Sequence, residues 1–298
     1  MKRVVFFTES KWAFGTIHYS LCRRLFERGI TAEVLDFFQK YSQEEMAAIS
    51  RHTDLFVTTP VGVTWLLEYG IKPSKIVSIA HAQWDILLSN SQIGTGIYDQ
   101  LAGYAVVSNI LRQKSQDFGV TRVPVVLHLG VEFDRFYRQP SRELNIIGFA
   151  GAYESRNFAG EEIKRGRLAQ RVAERAGTGF QLPNAHYLAM PSFYAGVDAV
   201  IQASTEEGAG LPMMEAAAAG RFCLGTAVGY FAENVTGGGI QVPLDEADFV
   251  DSCVSWVEQA RQNPQFYRMM CEQIQAYARD HYDWSHHIAH WADYLLAV

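Results

Sequence analysis

The sequence predicts an α/β protein built from two doubly wound domains with parallel sheets. Three observations carry that expectation. Short β-rich runs alternate with helical patterns from the first residue, the way parallel sheets with crossover helices are encoded. The chain has 298 residues, more than one hydrophobic core usually serves, so two domains of about 140 residues each are expected. Near the middle, Phe133 to Asn145 is polar, holds Pro140 and shows no clear period, as an interdomain linker would. The expected division is therefore 1–139, 140–280 and a closing helix over 281–298.

In the first half, strands are expected at Arg3 to Thr8, Ala32 to Phe37, Leu55 to Thr58, Lys75 to Ile79, Tyr104 to Val107 and Val123 to Leu127. The clearest helix runs from Thr16 to Glu27. It places Ile17, Leu21 and Leu25 on one face, and Gly29 follows as its stop signal. Ligands of such an open sheet lie at the carboxyl ends of its strands. A second sheet opens at Ile146 to Gly151 and is followed by a helix around Glu161 to Arg175. Asp198 to Ser204 and Arg221 to Thr226 read as further strands. Asp245 to Asn263 and Pro264 to Asp280 read as helices, and the tail from Trp284 reads as an amphipathic helix capped by Ser285. There is no solenoid repeat and no low-complexity segment.

Composition narrows the class. Apolar residues make up 48% of the chain, enough to fill two cores and to exclude a disordered or fibrous protein. The four cysteines, Cys22, Cys223, Cys253 and Cys271, have no C-x-x-C spacing, so neither a zinc site nor a disulfide framework is indicated and a reducing cytoplasm fits. The N-terminal apolar run is too short for a signal peptide, and no stretch reaches the roughly 18 apolar residues of a membrane span. A soluble protein is expected. The net charge of −6 argues against nucleic acid as a partner.

The most informative stretch is Glu207-Gly-Ala-Gly-Leu-Pro-Met-Met-Glu215-Ala-Ala-Ala-Ala-Gly220. Pro212 suits the first helical position and Gly220 suits the left-handed residue that ends a helix, so about two turns fit between them. The exposed N–H groups and positive dipole end of that helix would face Gly208-Ala209-Gly210, whose small side chains let a phosphate approach the backbone. Glu207 and Glu215 would then flank the anion, and carboxylates accept well from vicinal diols. The plainer alternative is an Ala-rich buried helix after a Gly turn, with both Glu merely solvated.

The run from Asp198 through this stretch to Arg221–Thr226, Val228-Gly229 and Glu233-Asn-Val235 resembles the E-x7-E region of retaining glycosyltransferases of the GT-B fold, specifically glycosyltransferase family 4. The likeness extends over most of the chain. Gly15-Thr-Ile-His18 and the helix after it are similar to the family's first Gly-rich loop and helix. His128 to Phe136 resembles the end of the first domain, Tyr187 to Tyr194 with Asp198 the lead into the signature strand, and Tyr282-Asp-Trp-Ser285 the approach to the final helix.

That resemblance implies two Rossmann-like domains with parallel sheets facing across a cleft, the second holding a nucleotide sugar and the first much of the acceptor. By position, Glu215 would bind the ribose and Glu207 the donor sugar, with Gly208, Gly210 and Leu211 at the phosphates and Gly15 in the first Gly-rich loop. His81 resembles the histidine that reaches the donor sugar; a satisfied structural histidine is the alternative. The family usually has Arg after its Phe-x-Gly strand end, where this chain has Ala152. Lys164 or Arg165 is then the expected pyrophosphate partner and Arg156 the replacement for the missing arginine; solvated helix residues are the competing reading.

Arg221-Phe222 and Ala209 also depart from the pattern. Strict D-x-D is absent, so no metal and no cofactor beyond the donor is expected. The implied reaction is retaining, metal-independent hexosyl transfer to a glycan or lipid-linked hydroxyl acceptor in surface polysaccharide or glycolipid synthesis, in the cytoplasm or at the inner face of the membrane, with oligomeric state open. Two rivals stay open: a nucleotide-sugar epimerase on the same scaffold, and a noncatalytic sugar-binding subunit.

Overall fold

The computed structural model describes residues 1–10, 12–157, 160–183, 187–233 and 237–298, without the side chains of residues 12 and 13. Asn234 and Val235 of the signature region therefore lie outside the described residues. The chain separates into two compact units, Met1–Leu129 with His287–Val298, and Gly130–His286. Phe133 to Asn145 falls within the second unit, where Phe133 and Phe136 are buried on a one-turn helix and Leu144 joins the core.

The first unit holds a six-stranded sheet in the order β2-β1-β3-β4-β5-β6. Its strands are β1 Lys2–Thr8, β2 Ile30–Asp36, β3 Leu55–Thr58, β4 Ile76–Ala80, β5 Gly103–Val106 and β6 Val125–Val126. Every pair is parallel. β3 and β4 are buried at every residue, as a parallel sheet covered on both faces requires. The first helix starts at Trp12, four residues before the expected start, so Gly15 is helical rather than in a loop. A Cβ on Gly15 would collide with the Ser10 carbonyl oxygen, so this helical position has room for glycine alone.

The second unit holds a five-stranded parallel sheet, β11-β10-β9-β7-β8. These strands are β7 Ile146–Gly148, β8 Gly179–Gln181, β9 Ala199–Gln202, β10 Phe222–Thr226 and β11 Ile240–Val242. The short edge strands β8 and β11 carry little sequence signal. Ile147, Ile201 and Leu224 pack with Val172, Phe249 and Val257 in the core. Strand order reverses between β7 and β9, so the carboxyl ends of these two strands open onto the crevice where such sheets bind ligands.

Two expectations need correction. The helix placed at Glu161 to Arg175 spans Gly166–Ala176. Residues 155–157 and 161–163 instead pair antiparallel: Ile163 N–H donates to Ser155 O at 2.8 Å, Asn157 N–H to Glu161 O at 2.9 Å, and the backbones of Arg156 and Glu162 form an isolated β-bridge. Ser285 does not cap the last helix, which spans Trp284–Ala297; the Asp283 carboxylate accepts the Ser285 N–H at 2.8 Å. Among the described residues, no helix is long and apolar enough to cross a membrane.

Candidate functional site

The helix expected between Pro212 and Gly220 spans Leu211–Ala218, with Pro212 in its first turn. Gly210 precedes it at φ 79° and Gly220 follows it at φ 66°, both in the left-handed region that glycine occupies without penalty. Small side chains let the helix lie close over β9 and β10: Ala216, Ala217 and Ala218 are fully buried. Its far end is held by a residue that departs from the expected pattern. Arg221, itself buried, donates to the carbonyls of Ala219 at 2.7 Å, Val197 at 3.1 Å and Gln139 at 2.5 Å. A guanidinium there satisfies end carbonyls and complements the negative end of the dipole.

At the near end, Glu207 and Lys164 meet. Lys164 Nζ lies 2.6 Å from Glu207 Oε1, which also accepts from the Ser204 hydroxyl at 2.7 Å. Lys164 reaches this point because Arg165 turns the backbone into the left-handed region at φ 50°, the one non-glycine described to do so. The Arg165 side chain is buried; its Nε donates to the Ala203 carbonyl at 2.5 Å and its Nη1 to the Leu244 carbonyl at 2.8 Å, while Nη2 is buried without a partner and the guanidinium lies over the Phe249 ring. It ties the end of β9 to the turn after β11. Neither residue lies on a helix surface. Arg156 is exposed and donates to the Gly160 carbonyl.

Glu215 is not solvated. It is only 3% exposed, accepts from the Tyr194 hydroxyl at 2.8 Å and is also hydrogen-bonded to the Tyr187 side chain. Burial pushes its carboxyl up to about 7, opposed by the two tyrosines and by the charge of Arg135. Arg135 is held over the Tyr187 ring at 5.1 Å and donates to the Tyr187 and Leu188 carbonyls.

The Gly208–Gly210 turn packs against a second glycine. Gly229, at φ 59°, opens the short helix Gly229–Glu233, and a Cβ there would stand 2.9 Å from both Glu207 Cβ and Gly208 O. Tyr230 N–H donates to that Gly208 oxygen at 3.2 Å. Sequence reasoning noticed Gly229 but not this approach; a glycine after a buried strand was its one signal. Tyr187, Tyr194 and Ser204 were missed as partners, since nothing in their spacing marks them.

His81 follows β4 in the first unit and is half-buried. Its ring lies 5.0 Å from Phe14 and 6.0 Å from His18. Burial, then the neighbouring His18, lowers it to about 3. His18 is lowered to about 4 by burial, against the raising effect of its 2.8 Å hydrogen bond with the Phe14 carbonyl. Both rings are neutral at pH 7. Among the described residues, no group of three or more His, Cys, Asp or Glu is placed to hold a metal ion.

Residues 106–259, half of the chain, match the family model described as glycosyl transferases group 1. By structure the chain is similar to HepE (Alr3699) of Anabaena in complex with UDP and glucose, at 14% identity, full coverage of both chains and a TM-score of 0.69. It is similar to a sucrose-phosphate synthase from Thermosynechococcus elongatus at 12% identity, 98% coverage of each chain and a TM-score of 0.72. It is also similar to a glycosyltransferase from Rickettsia africae at 13% identity, 98% and 97% coverage and a TM-score of 0.66. No curated protein matches the chain in sequence.

Proposed function

The chain belongs to the glycosyl transferases group 1 and has the GT-B fold, and we propose that it moves a sugar from a nucleoside diphosphate donor to a hydroxyl acceptor with retention at the anomeric carbon, as a family 4 enzyme. One observation carries the donor assignment. At the carboxyl ends of β7 and β9, Lys164 and Glu207 meet 2.6 Å apart beside a glycine turn that opens the Leu211 helix, with Glu215 one turn further on.

In this reading the diphosphate sits at the start of that helix, held by N–H groups near Gly208, Gly210 and Leu211 and by Lys164. Glu215 binds the ribose hydroxyls and Glu207 the donor sugar. Lys164 leaves Glu207 as the phosphate arrives and stabilises the charge that grows on the leaving group. Arg165 keeps the Lys164 turn in shape from below, and the exposed Arg156 adds charge toward the phosphates. The departing phosphate oxygen takes the acceptor proton, so no metal or further cofactor is invoked. Gly15 and His81 serve the first unit, which takes a glycan or lipid-linked acceptor in surface polysaccharide or glycolipid synthesis, at the inner face of the membrane.

The test is a thermal-shift panel of UDP, GDP, ADP, CMP and dTDP with their sugars. UDP comes first, since the HepE complexes contain UDP and UDP-glucose. A nucleotide at a hundred times its Kd adds about 2.7 kcal/mol of stability. That response is expected in full in the wild type and at half or less in Glu215→Ala at the same concentration. Silence from every nucleotide would overturn the donor site, and an inverted anomeric centre in the product NMR spectrum would overturn retention.

A further inference from the structure

Gln202 is the last residue of β9, and its side chain is 4% exposed. Neither Oε1 nor Nε2 has a hydrogen-bond partner. A primary amide can donate twice and accept twice, and leaving it unpaired in a dry interior is costly. Such a group in a folded protein asks for an explanation. Packing does not supply one. The Gln202 Cβ lies beside Gly225 together with the Met213 methyl and the Phe231 ring, surroundings that a methionine or leucine would suit better.

The carboxamide lies against the glycine turn. A Cβ built on Gly210 would stand 3.0 Å from Gln202 Oε1 and 3.4 Å from Nε2. Gly210 is the left-handed residue before the Leu211 helix. Its carbonyl accepts the Met213 N–H at 3.0 Å and the Met214 N–H at 3.4 Å, the Gly208 carbonyl accepts the Tyr230 N–H at 3.2 Å, and neither is bonded to the amide in this arrangement. A helix start and a buried, unpaired amide thus converge on one turn whose glycines can change conformation at little cost.

We propose that Gln202 is a positioning residue for the donor diphosphate: when the Gly208–Ala209–Gly210 turn takes up an anion at the start of the Leu211 helix, one of its carbonyls turns inward to accept from Nε2. The turn's N–H groups are then fixed toward the phosphate. This rests on the donor-site reading above and adds a residue to it. The amide is the cost of the empty state and the support of the filled one.

The experiment compares wild type, Gln202→Met and Gln202→Leu for unfolding temperature without ligand and for the Kd of UDP, inorganic pyrophosphate and uridine by calorimetry. Both variants should be as stable as wild type or more so when free. They should bind UDP and pyrophosphate about tenfold more weakly and uridine unchanged. Equal UDP affinity in wild type and variants would overturn the proposal while leaving the donor site intact. So would variants less stable when free, since Gln202 would then be a structural residue. Failure of wild type to bind any of UDP, GDP or ADP would overturn the donor-site reading and, with it, this one.

Discussion

At the carboxyl end of the first sheet rings and hydroxyls predominate and the carboxylates of Asp36 and Asp85 are bonded to close neighbours, whereas at that of the second an ion pair stands beside a helix start. In the first unit, Phe7, Phe37 and Trp65 stack edge to face, Phe14 meets His18 and His81, and the hydroxyls of Thr8, Thr58 and Ser78 are buried without partners. Asp85, the buried carboxyl there, is spent on the Val61 N–H at 3.0 Å, and burial raises it to about 7. In the second unit, Lys164, Glu207 and Glu215 surround one helix start. Both sheets are parallel and wound alike, so the backbone does not set this difference; the residues at the strand ends do. The second end offers an ion pair beside a helix start, and the first offers mostly rings and hydroxyls.

Four outcomes would sharpen or break that contrast. The largest effect is expected from Lys164→Met and Glu207→Gln, each lowering kcat by about 10²–10³, the range found when one stabilising partner of a developing charge is removed. Glu207→Gln should keep its nucleotide affinity, and steady-state kinetics showing a pure KM effect instead would place Glu207 outside the reacting end. Next, Glu215→Ala should weaken UDP binding by about 1.5–3 kcal/mol, as for hydrogen bonds to a charged group, with titration calorimetry as the readout. An unchanged Kd would mean the ribose lies elsewhere.

A comparable figure, in stability rather than binding, is expected from Gly15→Ala. The added methyl meets the Ser10 carbonyl and should cost about 1–3 kcal/mol in urea unfolding while UDP affinity holds. Loss of UDP affinity in that variant would join what the comparison separates. The last outcome concerns pH. Glu215 has a folded value near 7 against 4.5 ordinarily, so the folded chain keeps a proton that the unfolded chain releases. The sign follows: its contribution to stability declines as pH rises from roughly 4.5 to 7, and Glu215→Gln should flatten that decline in the Tm–pH profile. Superimposable profiles would mean that Glu215 is already ionised.

Local punctuation made much of this legible. Pro212 and Gly220 bracket the helix that forms, and β3 occupies the four residues expected of it. The readings failed where a distant contact decides. Nothing in the local sequence forbids a helix start at Glu161; the antiparallel bonds from Ile163 to Ser155 and from Asn157 to Glu161 do. Glu215 carries no mark of burial, because Tyr187 and Tyr194 stand 28 and 21 residues away in the chain. Gln202 reads as a strand residue like any other until the turn above it is known.

The last helix begins in one unit and ends in the other, and the place where the chain leaves the first unit is bonded to the place where it returns. Val131 N–H donates to Tyr282 O at 2.8 Å, Trp284 N–H donates to Val131 O at 3.1 Å, and Asp283 accepts the Phe133 N–H at 3.1 Å. Topologically, residues 130–286 are a single insert whose two stems are stitched side by side, carried by a host made of both chain ends. The unit that holds the Lys164–Glu207 pair is thus an uninterrupted cassette, the form in which domains are most readily transplanted or evolved as a piece, while the first unit can be completed only once synthesis has reached the helix over Trp284–Ala297.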